Sequence, residues 1–287
     1  GGGCSSAPSL VLGTPSCTGS SVYSVGFTAQ SGATVTASAG SVQGSSVVNV
    51  PVGTNVVVTA SQGSCSTQQT ASSPTSCGAS TATYRVAIIG NSITEHPPYE
   101  GWGGPGNYGM AASSQSNDYV HRLIPLLENA HPQCKVFYTG AGAFWESAYR
   151  DSQSPPNYQQ LFIDPMTTFF GNNYTTDLVL ISLSENIEAS LFDLSKFNQQ
   201  LDQLISVCNP KPGAKIIVRN SFWANKEASD IAFQNYAQTK GYVFVNLDAI
   251  RERTDYKASQ YSNAGVAHHP NDAGMQAIAT YYWNAIQ

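Results

Sequence analysis

The first 84 residues contain no Asp, Glu, Lys, Arg or His; Arg85 is the first charge in the chain. All 13 basic and 18 acidic residues lie beyond that point. Two composition regimes on one chain imply two domains, and we place the boundary near residue 80, giving domains of 1–80 and 81–287. Charge is scarce overall, at 11%, and the net charge is -5. Without a cationic surface, nucleic acid and anionic membranes are excluded as main partners. No apolar run approaches the roughly 18 residues that span a bilayer, so no membrane span is expected. No secretory leader is visible, and Gly1-Gly2-Gly3 reads as a mature or trimmed end. The chain lacks G-x-G-x-x-G after a strand, a P-loop lysine pattern, H-E-x-x-H spacing and the G-x-S-x-G elbow. No cofactor and no metal are therefore expected.

What is present begins with six cysteines, at 4, 17, 65, 77, 134 and 208, none in a C-x-x-C pair. An even number, four of them in a Ser/Thr/Gly-rich segment, reads as a disulfide framework in a secreted protein; buried reduced thiols are the alternative. Cys17–Cys65, Cys4–Cys77 and Cys134–Cys208 are candidate pairs, and spacing alone leaves the connectivity open. The segments "SVYSVGFTAQ", "ATVTASAG", "SVVNVPVG" and "NVVVTAS" alternate small, polar and β-branched residues between Gly, Ser and Asn breaks. They predict short strands of a small antiparallel β-sandwich, in need of disulfides because few side chains are large.

From residue 85 onward strand and helix signals alternate. Strands are expected at 85–90, 135–139, 178–183, 215–219 and 242–246, and helices near 118–130, 193–208, 229–240 and 272–286. In the last helix, Met275, Ile278, Ala279, Tyr282, Trp283 and Ile286 form an apolar stripe, and Asn271 or Asp272 can cap it. Continuous apolar strands alternating with helices mean an α/β domain with a parallel sheet covered on both faces. Sites in such sheets form at the carboxyl ends of the strands.

Four features fall at such ends. In "RVAIIGNSIT" the run Val86–Ile89 stops at Gly90-Asn91-Ser92 and delivers a hydroxyl to a turn. A serine nucleophile needs a base and donors for the developing oxyanion. "VFYTGAGAFWE" ends in a glycine-rich turn around Gly142, where a backbone N–H can approach a substrate. "LVLISLSENI" ends in Ser184-Glu185-Asn186, and an asparagine amide is a neutral oxyanion donor. "AHHPNDAGM" sets His268 and His269 before Pro270, in a loop ahead of the last helix. Each alone is as well explained as a turn residue; four in one sheet are not.

In their order along the chain, Ser92 in "GNSIT", the glycine turn at 140–142, Asn186 in "LSEN" and His269 in "HPNDAGM" resemble the blocks of the SGNH, or GDSL-like, hydrolases. The long segment 94–120, with "GW", "GMAAS" and "DYV", is similar to a secreted bacterial subgroup of that family. The resemblance covers about residues 85–287. It implies a flavodoxin-like three-layer α/β/α fold and a carboxylic ester hydrolase with Ser92 as nucleophile and His269 as base. The oxyanion hole would be Ser92 N–H, Gly142 N–H (Ala143 on strict strand alignment) and the Asn186 amide.

The chain departs from the pattern at two places. Asn91 stands where the family usually has Asp. Val266 stands where the triad acid commonly lies, so a backbone carbonyl or a remote carboxylate takes its part, or the pair works as a dyad; Glu146, Glu185 and Asp255 are the carboxylate candidates. Tyr99, Trp102, Tyr108, Trp145 and Trp223 are candidates for stacking on sugar rings, or for pinning loops to the core. The expected function is a secreted serine esterase acting on carbohydrate esters, acetyl groups above all, with a polysaccharide or other ester as substrate. A lipid or aryl short-chain esterase is one alternative. A glycan-binding or surface protein with an inactive hydrolase domain, motivated by Val266, is the other.

Overall fold

The computed structural model describes residues 6–18, 22–74 and 83–287. The chain divides into two compact units, Gly1–Ala82 and Thr83–Gln287.

The first unit is antiparallel throughout. One sheet contains β1 (Leu10–Leu12), β3 (Val22–Ala29), β6 (Ser46–Pro51) and β5 (Ser41–Gln43) in that order, with β2 (Ser16–Cys17) pairing to β3. The other contains β4 (Thr34–Ala37), β7 (Val56–Gln62) and β8 (Cys65–Ala71). Alternate residues of the two sheets share one core: Tyr23, Val25, Val47 and Val50 from the first, Val56, Val58 and Ala60 from the second. This is a small β-sandwich, and its period-2 pattern follows from the pleat. Tyr23 is fully buried, yet its hydroxyl donates to Thr54 O at 2.7 Å, so no polar atom is stranded there. Cys17 and Cys65 are each disulfide-bonded. Cys4 and Cys77 lie outside the described residues.

The second unit is a three-layer α/β/α domain with flavodoxin-like strand order. Its sheet runs β10 (Lys135–Thr139), β9 (Arg85–Gly90), β11 (Thr176–Ser182), β12 (Pro210–Arg219), β13 (Val243–Val245), and all pairs are parallel. In order of appearance that is 2-1-3-4-5, the doubly wound order with a switch point beside the first strand. Alternation explains why these strands read as unbroken apolar runs. Val86, Ile88, Leu178 and Leu180 pack on α1 (Tyr119–Ala130) and α8 (Asp272–Ile286) through Leu123, Leu127, Met275, Ile278 and Tyr282. Ala87, Ile89, Val179 and Ile181 face the other way. They pack with Met166 of α3 (Asp164–Phe170), Phe197 and Leu201 of α4 (Leu194–Val207) and Phe233 of α5 (Glu227–Lys240).

Three short helices complete the unit: α2 (Gly142–Ala148), α6 (Asp248–Arg251) and α7 (Ala264–Ala267). Asn271 caps α8 by accepting Gly274 N at 3.0 Å. Asp272 instead fastens the 94–120 segment, accepting Ser113 N at 2.8 Å and Ser113 Oγ at 2.6 Å.

The expected Cys134–Cys208 bridge does not form. Both cysteines are free, and the sheet separates them: Cys134 packs with the α1/α8 face and Cys208 with the α4/α5 face. Burial pushes both thiols up to about 12, which leaves them unreactive at neutral pH.

Candidate active site

The β9 strand is central and ends in a tight turn. Thr94 N and Glu95 N both donate to Asn91 O, at 2.9 and 3.0 Å, which turns Ser92 out of the sheet. Across the cleft, the cap at Asn263 starts the single-turn helix α7, and Pro270 ends the loop that follows it. His269 is held there by both backbone groups: its N–H donates to Val266 O at 2.9 Å and its carbonyl accepts Ala258 N at 2.9 Å. The result joins two residues 177 positions apart, with Ser92 Oγ 2.7 Å from His269 Nε2.

The other ring nitrogen decides the protonation pattern. His269 Nδ1 lies 2.8 Å from Gly265 O. A carbonyl oxygen can only accept, so Nδ1 carries the proton and Nε2 is left as acceptor for the Ser92 hydroxyl. Of the alternatives left open by Val266, the backbone carbonyl is the one found. Val266 itself is buried. None of the three candidate carboxylates reaches the ring: Glu146 and Glu185 lie in the floor, and Asp255 is an exposed partner of Arg253. Burial pushes His269 down to about 4, against the opposing pull of the Gly265 hydrogen bond, so the imidazole is neutral at physiological pH. His268 is exposed.

Ser92 and His269 open on a cavity of about 660 Å³. Asn186, Ala143, Phe144, Tyr99 and Trp223 line it. Gly142 is not on that lining, whereas Ala143 is; the Ala143 N–H, however, is engaged by Gly140 O at 3.1 Å. A Cβ at Gly142 would collide with Gly90 O and Leu183, so this glycine serves the close packing of α2 on β9, and Ala143 is the residue on the wall. The aromatic candidates also separate. Trp102 is not on the cavity: it is 5% exposed and packs edge-on against Tyr108, with ring centroids 4.9 Å apart. Trp145 is fully buried and donates to Tyr158 OH at 3.0 Å. Trp102 pins its loop to the core, and Trp145 seats the helix α2 there. Tyr99 and Trp223 remain at the cavity, and Trp223 meets the His269 ring edge-on at 5.4 Å.

Beneath Ser92 is a charged floor. Asn91, Glu146, Glu185 and Arg219 are all fully buried. Asn91 Nδ2 donates to Glu185 Oε2 at 2.7 Å and to Glu146 Oε2 at 3.1 Å, while its Oδ1 accepts Ile93 N at 3.2 Å. An aspartate would keep only the last of these and would add a third carboxylate. Asparagine at this position is therefore matched to the two glutamates. Arg219, at the carboxyl end of β12, donates to both Glu185 oxygens at 2.6 and 3.1 Å. Burial alone would raise Glu185, but the Arg219 guanidinium overrides it and holds the carboxyl below its ordinary range. Glu146 has no such partner: burial, then repulsion from Glu185, push it up to about 7. Sequence reasoning missed Arg219, although an arginine closing the apolar run "KIIVR" was the available signal. The Gly265 carbonyl leaves no signal at all.

Solved structures of ester hydrolases resemble this chain. A two-domain esterase active on acetylated mannans, co-crystallised with mannopentaose, is 16% identical with a TM-score of 0.45 over 71% of this chain and 49% of that one. This chain thus spans about half of that protein's length. A carbohydrate esterase family 2 enzyme with a carbohydrate binding domain, from Corynascus thermopiles (Myceliophthora fergusii), is 15% identical with a TM-score of 0.48 over 97% and 98% of the two chains. An acetylxylan esterase from Geobacillus stearothermophilus is 16% identical with a TM-score of 0.45 over 71% and 94%. No protein-family sequence model and no curated protein sequence matches the chain. The reading of the site rests on its own geometry.

Proposed function

We propose that the chain is a secreted serine esterase that removes ester-linked acyl groups, acetyl above all, from carbohydrates. The observation that carries this reading is the 2.7 Å contact between Ser92 Oγ and a His269 Nε2 whose tautomer is set by Gly265. The pair stands at the carboxyl edge of a parallel sheet, in a cavity large enough for a substrate.

In the first half-reaction His269 Nε2 takes the Ser92 proton as Oγ attacks the ester carbonyl carbon. The carbonyl π bond opens onto oxygen, and the oxyanion faces Ser92 N–H and the Asn186 amide. Asn186 has one Nδ2 hydrogen engaged by Glu146 at 2.7 Å, which directs the second elsewhere. As the tetrahedral species collapses, the C–O bond to the alcohol breaks and His269 returns the proton to the departing oxygen. Water then repeats the sequence on the acyl-enzyme and frees the acid. Without a carboxylate beside it, the imidazolium formed midway is stabilised by the Gly265 carbonyl dipole.

Two observations support carbohydrate as the alcohol part. The aromatic residues Tyr99 and Trp223 line the cavity, and so do the polar residues Asn107, Asn186 and Asn263. Phe144, 63% exposed, with Met110 and Val266, gives the same cavity an apolar stretch, which favours the aryl or lipid short-chain ester as the second reading. The binding-only alternative was motivated by the missing acid at 266, and the Gly265 carbonyl supplies the tautomer control that the acid would give.

The test is acetate release from acetylated xylan and from p-nitrophenyl acetate, wild type beside Ser92→Ala. Release from both that vanishes in the variant supports the carbohydrate esterase. Release from the aryl ester alone keeps the mechanism and removes the xylan assignment. Release unchanged by Ser92→Ala, or none from either substrate, contradicts the proposal.

A further inference from the structure

Glu146 takes part in no bond change of the reaction as written, and its contact with Asn186 is one of several. The side chain comes from α2 and is fully buried, yet its neighbours are unusual for a core residue. Each one donates to it: Ser184 N at 2.6 Å, Asn186 N at 3.2 Å, Asn186 Nδ2 at 2.7 Å and Asn91 Nδ2 at 3.1 Å. Those donors sit in the turn after β9, which carries the nucleophile, and in the turn after β11, which carries the oxyanion amide. The second turn is strained, because Ser184 holds a φ of 118° without being glycine. Such a conformation persists only where its surroundings over-determine it, and two backbone N–H groups aimed at one carboxylate are such a determinant.

We propose that Glu146 is a positioning residue that, as a carboxylate, clamps the Asn186 amide and its strained turn in register with Ser92, so that the oxyanion donors are set before substrate arrives. The proposal rests on the esterase reading above. A carboxylate suits the place because it only accepts, and every contact only donates. The neutral acid would put an O–H among donors and loosen the clamp. The groups facing Glu146 are few. Glu185, from the β11 turn, repels it; Arg219, from β12, is committed to Glu185; Asn91, from β9, is neutral. No cation is paired with Glu146 among the described residues. Glu146 therefore titrates near 7 while His269 titrates near 4, and the two ionisations are well separated.

The experiment is steady-state hydrolysis of p-nitrophenyl acetate from about pH 4 to 9 by wild type, Glu146→Gln, Asn186→Ala and the double variant, with Ser92→Ala as control. Removing a whole oxyanion donor costs roughly 10²–10³ in kcat, so a loosened one should cost roughly ten- to a hundredfold, with KM nearly unchanged. The double variant should be no slower than Asn186→Ala, since Glu146 acts through that amide. The acidic limb of wild-type kcat should lie near 7 and move toward 4 in Glu146→Gln. Wild-type kcat in Glu146→Gln, or losses that multiply in the double variant, would overturn the proposal. If Glu146→Gln does not fold, Glu146→Asp decides, since it keeps the carboxylate but draws it back from Asn186 and Ser184: wild-type kcat in Glu146→Asp at about pH 8 overturns the proposal. Hydrolysis that survives Ser92→Ala overturns the esterase reading itself, a result distinct from any of these.

Discussion

The two units treat buried polarity in opposite ways. In the β-sandwich no side chain is charged, and its fully buried polar aromatic, Tyr23, is satisfied by one backbone carbonyl. In the α/β unit, Glu146, Glu185 and Arg219 are buried together under the end of β9. A fold of this kind does not need them: ion pairs in a core are no more stabilising than apolar side chains of the same volume. Their place explains their presence. They gather where β9, β11 and β12 deliver Asn91, Ser92 and Asn186. The contrast separates polar groups that merely fold the chain from those gathered beneath the candidate site.

The contrast can be broken most strongly at Ser92. Ser92→Ala should lower ester hydrolysis by roughly 10⁴-fold or more with little change in melting temperature, since the hydroxyl's partner, His269 Nε2, opens on the cavity, where water can replace it. Assay and calorimetry on the same sample check both halves. Next in size is Asn91→Asp, which removes two donors and adds a charge between Glu146 and Glu185. It should destabilise the unit by roughly 3–5 kcal/mol, read by urea unfolding at about pH 8. A variant as stable as wild type would show that the floor tolerates a third carboxylate.

A subtler prediction concerns pH. Folding lowers His269 from its ordinary value to about 4, so its contribution to stability rises with pH between about 4 and 6.5. Folding raises Glu146 from 4.5 to about 7, so its contribution falls over that window. The two oppose each other in wild type. Glu146→Gln removes the falling one, so its stability relative to wild type should increase as pH goes from about 5 to 7, by thermal unfolding. No relative change across that range would contradict the assigned ionisations.

Smaller effects sharpen the aromatic assignments. Tyr99→Ala should raise KM for a carbohydrate ester several-fold and leave stability alone, because Tyr99 is exposed on the cavity. Trp102→Ala should do the reverse and cost roughly 3–5 kcal/mol of stability. In the β-sandwich, Tyr23→Phe should cost about 1 kcal/mol, the worth of its bond to Thr54.

These residues also show what could be read from the chain. The β9 strand falls at Arg85–Gly90 as expected, because the apolar run is too short for a core helix, is rich in β-branched residues and is stopped by Gly90-Asn91. The last helix was equally legible from its stripe and from Asn271. β12 begins at Pro210, five residues before the expected start, because Pro212 and Gly213 hide an edge segment from a pattern reading. α2 is hidden in the sequence behind a glycine-rich turn signal, since Gly142 opens the helix and is there for packing. Trp102 and Tyr99 lie in the same glycine-rich segment with the same local signal, and only tertiary packing separates them. The Gly265 carbonyl was illegible because every residue has one; its role comes from where α7 places it.

The most direct test of the central claim is to quench wild-type enzyme with p-nitrophenyl acetate within the first turnover and locate any covalent adduct by peptide mass spectrometry. The account requires one acetyl group on Ser92, absent in Ser92→Ala and slow to form in His269→Ala. Hydrolysis with no adduct at Ser92, or an acetyl group on another residue that turns over at the same rate, would contradict it.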